Sequence, residues 1–191
     1  QELLGENNED EMTILKTTLD SGVIIGGSSQ SNISGNKTEN VFGVHDYWIV
    51  KLDKAGNIQW QNNIGGNESD DLVSIIVCND GSYLIAGNSS SNISGDKTTN
   101  AYLGGFPNSD IWILKLSAQG NIIWQKRIGG NDIDGISDMK QTSDNGFILA
   151  AYSGSDISGE KTENSFGIFN KLDYWIIKID SLGIIQWQKT I

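Results

Sequence analysis

Six tryptophans placed in two registers impose a threefold repeat, and such a repeat restricts the fold more than any local signal does. Trp48, Trp112 and Trp175 each sit in a strand-like run: Asp46-Tyr47-Trp48-Ile49-Val50-Lys51-Leu52, Asp110-Ile111-Trp112-Ile113-Leu114-Lys115-Leu116, and Asp173-Tyr174-Trp175-Ile176-Ile177-Lys178-Ile179. A second tryptophan follows twelve residues later each time, at Trp60, Trp124 and Trp187. A period of roughly 60–64 residues across all 191 positions means an array of one supersecondary unit. The six tryptophans are therefore read as structural.

Within the middle copy, an apolar run from Leu72 to Asn79 ends in Asn79-Asp80-Gly81, a tight-turn signal, and Tyr83–Gly87 returns as a second strand. A long polar segment then leads to the Asp110–Leu116 strand, and Ser117–Asn121 turns into Ile122-Ile123-Trp124-Gln125. The other copies keep this grammar, and no stretch sustains a 3.6-residue apolar period. Four short strands per unit predict an all-β chain of four-stranded antiparallel blades. In the third strand Trp48, Val50 and Leu52 face one way while Tyr47, Ile49 and Lys51 face the other. Both faces are largely apolar, as a sheet covered on each side by another blade requires. One repeat domain, 1–191, is expected, with blades at 1–60, 61–125 and 126–191.

The pattern Asp-Tyr-Trp-Ile-Val-Lys-Leu-Asp, then Gly-Asn-Ile-Gln-Trp, then Ile-Gly-Gly resembles the β-propeller repeats of secreted and cell-surface proteins of Bacteroidota, many exported by the type nine route. The resemblance covers all three copies. It implies a four-stranded blade and an extracellular or cell-surface location, and it implies no activity. The connection before the third strand departs from that family in being longer and built on Asn-Ile-Ser-Gly-x-Lys-Thr. Propellers typically have four to eight blades, so three blades predict either a piece of a longer propeller or two chains forming a six-bladed ring. A β-trefoil-like three-fold barrel is the alternative.

Net charge is −11, which argues against nucleic acid and against docking on an anionic membrane. No apolar run is long enough for a membrane-spanning helix. The opening Gln1-Glu2-Leu3-Leu4-Gly5 does not read as a secretion leader, as expected of a mature product or an excised domain. Cys78, alone in Ile75-Ile76-Val77-Cys78, is expected to be a buried small hydrophobe.

Aspartates recur at the step between units (Asp10, Asp70, Asp134) and at the start of each third strand (Asp46, Asp110, Asp173). Strand-end capping is one reading. The other is an oxygen-ligand site for a Ca²⁺-type cation, with Asp70, Asp132 and Asp134 as candidate ligands and no other cofactor. In the loops Ser31–Thr38, Ser91–Thr98 and Ser155–Thr162 the apolar Ile is expected to tuck inward. Beyond them the copies diverge, and Phe42, His45, Tyr102, Phe106, Phe166 and Phe169 are the candidate ligand contacts, with cover for neighbouring blades as the competing role. His45 is the only histidine, so triads built on several histidines are excluded. A non-catalytic extracellular binding or adhesion scaffold for a protein or glycan partner is expected. A lectin is the sharper alternative, and a glycosidase-like hydrolase using Asp70, Asp132 and Asp134 the remaining one.

Overall fold

The computed structural model describes residues 8–102, 108–166 and 171–191, and in them every named element is a strand. Strands β1 (Asp10–Thr17), β2 (Val23–Ser29), β3 (Asp46–Leu52) and β4 (Ile58–Ile64) form the first sheet. The second holds β5 (Asp70–Val77), β6 (Tyr83–Ser89), β7 (Asp110–Leu116) and β8 (Ile122–Ile128). The third holds β9 (Asp134–Gln141), β10 (Phe147–Ser153), β11 (Asp173–Ile179) and β12 (Ile185–Thr190). Each is an antiparallel meander in chain order. Three separate four-stranded sheets are blades and not one closed barrel, so the trefoil alternative falls. The blades also run past the divisions expected at 60 and 125: the tryptophan lies inside the fourth strand, which continues to Ile64 and Ile128.

Neighbouring blades meet first through β1, β5 and β9, which line the inner side of the array. All three inner strands carry a bulge at the same place, between Met12 and Ile14, Leu72 and Ser74, and Ile136 and Asp138. A bulge there bends the strand and raises its twist. Because it recurs in every copy, it is part of the blade and not an accident of one.

Two cores lie between the blades. Ile24, Tyr47 and Ile49 of the first blade close on Leu72, Ile75, Ile85, Trp112 and Leu114 of the second. Ile111, Ile113 and Ala86 of the second close on Ile136, Met139, Leu149, Trp175 and Ile177 of the third. The middle blade is covered on both sides, so all of β7 is buried. Outer blades carry the same sequence pattern with one side uncovered: β1 is mostly exposed, and Ile25, Trp48 and Val50 form a small apolar cluster with Leu52 and Ile58 that, among the described residues, takes in no other blade. Cys78 is buried, as read from its neighbours.

The third-strand lysines reach across their own blade to the first hairpin turn. Lys51 pairs with Asp20 at 2.9 Å, Lys115 with Asp80 at 3.2 Å and Lys178 with Asp144 at 2.9 Å. Each aspartate also accepts from a turn residue, Thr18, Ser82 or Thr142, and these hydroxyls, followed by the lysines for Asp20 and Asp144, hold the carboxyls below the usual range. The turns need a left-handed residue, supplied by Ser21, Gly81 and Asn145.

Candidate functional site

The loops between second and third strands are pinned by a buried lysine. Lys37, Lys97 and Lys161 are almost wholly buried, with Nζ 5.6, 5.3 and 5.8 Å from the ring centroids of Trp48, Trp112 and Trp175. Lys37 Nζ donates to Ser29 Oγ, the Ser31 carbonyl and Asn63 Oδ1 at 2.7–2.8 Å. Lys97 donates to Ser89 Oγ, and Lys161 to the Glu163 carbonyl and Thr190 Oγ1. The expectation that the loop isoleucine tucks inward is wrong: Ile33, Ile93 and Ile157 are each about 60 % exposed. Lysine takes the interior place because its stem lies along the indole while serine and carbonyl oxygens satisfy the ammonium. The same indoles donate to Gln61, Gln125 and Gln188, whose amides reach back to the loop carbonyls of Asn36, Asp96 and Glu160.

The recurring aspartates are caps. Asp70 Oδ2 accepts from Gly66 N at 2.6 Å and Ser91 Oγ at 2.8 Å; Asp134 Oδ2 accepts from Gly130 N at 2.5 Å and Ser155 Oγ at 2.8 Å. Both are fully buried, and they belong to different blades. Asp132 stays local, taking the Ile133 amide on Oδ1. Among the described residues no group of three or more His, Cys, Asp or Glu is gathered as a metal site, so Asp70, Asp132 and Asp134 do not form one. Each carboxylate serves its own strand start instead. Burial raises Asp134 to about 6, against an ordinary 3.8. Its folded form holds the proton more tightly, so the stability it contributes is complete below about pH 4 and is lost as pH rises through 6. Asp134→Asn is expected to gain on the native chain by on the order of 3 kcal/mol between pH 4 and 7 in urea melts. A pH-independent difference would show that Asp134 is ionised at no cost.

Three of the candidate aromatics turn out to be one position. The backbone N–H of Phe42, Tyr102 and Phe166 donates at 2.6 Å to the third-strand carboxylates Asp46, Asp110 and Asp173. The sequence signal is Lys-Thr-x-Asn-x-aromatic, in Lys37–Phe42, Lys97–Tyr102 and Lys161–Phe166, and loop length beyond it hid the match. Phe42 rests on Gly95 of the next blade and Tyr102 on Gly159, where an added Cβ would lie 2.9 and 3.1 Å from the ring. Arg127 stacks on Tyr102 at 5.7 Å. Part of each ring is thus inter-blade cover, yet both remain about half exposed.

Phe42 also opens onto a groove of about 580 Å³ between the first two blades. Glu39, Asn40, Asn62, Asp96, Gly120 and Asn121 line it with Phe42. Asn62 Nδ2 donates to the Gly120 carbonyl at 2.6 Å, which ties the two blades together along one wall. Asp96 is pushed up by burial, with Glu39 and Asp46 adding like charge. The groove therefore combines an aromatic ring, amides and carboxylates, a set that donates to and accepts from neutral hydroxyls and disfavours anions.

His45 does not join the aromatics. Its ring lies between Gln30, with Nε2 2.8 Å from the amide nitrogen, and Asp71, with Nδ1 3.2 Å away. This second, smaller cleft is lined by Glu9, Glu11, Ser28, Gln30, His45 and Asp71. Meanwhile the His45 carbonyl accepts from Asp70 N at 2.8 Å, so the residue stitches the first blade to the second. Phe106 and Phe169 lie outside the described residues. No protein-family model matches the chain, and no curated protein matches it.

Proposed function

We propose that the chain is an extracellular binding scaffold that presents the loops between its second and third strands, with neutral glycans as the ligand class of the Phe42 groove. The supporting observation is the groove itself, where an exposed aromatic ring stands among Asn40, Asn62 and Asn121, with Asn63 in its wall held by the buried Lys37 and Asn62 held on the Gly120 carbonyl. A sugar offers an apolar ring face for Phe42 and hydroxyls for the amides. The acidic lining and the net charge of −11 select against anionic sugars and phosphates. Hydrolysis is the weaker reading, because glycosidase carboxylates must reach the scissile bond and Asp70 and Asp134 are fully buried.

A neutral-glycan array read with the native chain, Phe42→Ala and Asn121→Ala tests this. Binding is expected to weaken about tenfold or more in both variants. Asn121 lies on an exposed turn, so its loss cannot be a packing effect. Equal binding by all three chains, or none by the native one, would remove the reading.

A further inference from the structure

Every junction between blades is built from the same three aromatic or apolar knobs set against glycine or alanine. At the first, Tyr47 is fully buried with its ring 5.3 Å from Trp112, and its hydroxyl would be 2.7 Å from a Cβ on Gly87. Trp60 covers Gly120, with a Cβ there 2.9 Å from the indole, and its Nε1 donates to the Ala118 carbonyl at 3.0 Å. Phe42 covers Gly95. At the second junction Tyr102 covers Gly159 and Trp124 covers Gly183. There the Tyr47 position holds Ile111, and the glycine facing it becomes Ala151, at the same bulge. Knob and socket thus change size together.

The outer faces carry the unused halves of such a junction. Tyr174, Trp187 and Phe166 stand on the third blade at the knob positions and are 73, 51 and 72 % exposed. On the first blade Gly27, Gly56 and Gly35 hold the socket positions; Gly27 lines a small apolar cavity with Ile25, Trp48 and Val50, and nothing lies within 4 Å of a Cβ on Gly56. The outer faces thus again offer the larger knob, tyrosine, and the smaller socket, glycine. Met12 and Leu15 are exposed where their counterparts Leu72, Ile75, Ile136 and Met139 are buried against the preceding blade.

We infer that the third blade of one chain docks on the first blade of a second copy, Tyr174 entering the Gly27 cavity, so that two copies close a ring of six blades. The contact continues an interface the chain already makes twice within itself. It is head-to-tail, and such contacts close into rings when the rotation allows. Six is the multiple of three that falls within the four to eight blades of a propeller. The inference does not depend on what the loops bind.

Solution mass by light scattering or native mass spectrometry tests it on the whole chain. The native chain is expected at twice the chain mass. Tyr174→Ser and Leu15→Lys, both at exposed positions, are each expected to weaken association about tenfold or more while leaving cooperative unfolding of the monomer in place. An equimolar mixture of the two variants is expected to recover dimer. One of its two junctions then pairs the intact Tyr174 of one copy with the intact leading face of the other. A misfolded variant would not be rescued by mixing, nor would an isologous face-to-face contact. A native chain that stays monomeric, or forms species larger than two copies, overturns the inference, as does a mixture no better than either variant alone. The monomeric result would leave those faces to blades of another origin.

Discussion

Trp112→Ala is expected to lower stability by about 3–5 kcal/mol, the range for removing a large aromatic from a packed core. Trp112 is fully buried between the first two blades, against Tyr47 on one side and with Lys97 over its ring. Its indole N–H also holds Gln125 Oε1 at 3.1 Å, and Gln125 in turn holds the Asp96 carbonyl and the Thr98 amide. Truncation therefore opens a cavity, strips a buried ammonium of its aromatic cover and loosens the loop at once. Urea melts measure the loss, and proteolysis near Thr98 reports the loop. Trp48→Ala, at the same repeat position on the outer face of the first blade, is expected to cost less when both are measured on the dissociated monomer. Equal losses would mean that the inter-blade core is not the source of the penalty.

The second large effect is at Lys97. Lys97→Ala is expected to cost about 3 kcal/mol, because removing the stem leaves a void beneath Trp112. Lys97→Met keeps the volume and omits the charge, so it is expected to be the milder change at pH 7. Burial pulls the ammonium down to about 8 from an ordinary 10.5, with Asp70 and Asp110 partly offsetting it. The folded chain gives up this proton before the unfolded one does. The contribution of Lys97 is thus fully present above about pH 10.5 and is lost as pH falls through 8. Between those values the native chain is expected to gain on Lys97→Met by on the order of 3 kcal/mol. Parallel pH profiles for the two chains would show that the buried ammonium carries no desolvation cost.

Much of the fold was legible because blade strands are short and alternate with period two. Trp48 against Tyr47, repeated at 112 and 175, states both faces of a strand in one dipeptide. The inner loop was not legible, since lysine in a polar run reads as solvated and isoleucine as buried. Here the partner of the lysine lies eleven residues or more away, in the tryptophan of the next strand, and only the folded geometry joins them. Burial on the outer blades was equally hidden. Tyr47 and Tyr174 occupy one repeat position, and their opposite exposures follow from which blade comes next. The candidate aromatics were found as residue types, but their equivalence across copies was masked by loops of unequal length. His45 was grouped with them by sequence proximity alone, whereas the turn into β3 sends its ring to Gln30 and Asp71.

The lysine anchors also separate two kinds of freedom in the array. In each blade the loop is held at one foot by lysine on tryptophan and at the other by the third-strand aspartate. Beyond Phe42, Tyr102 and Phe166 the stretches 43–45, 103–109 and 167–172 lead to the third strand and already differ in length. Insertion there adds loop entropy that grows only slowly with length and disturbs no strand register. The rim can therefore be rewritten one blade at a time, by selection or by an engineer, while the repeat beneath it stays the same.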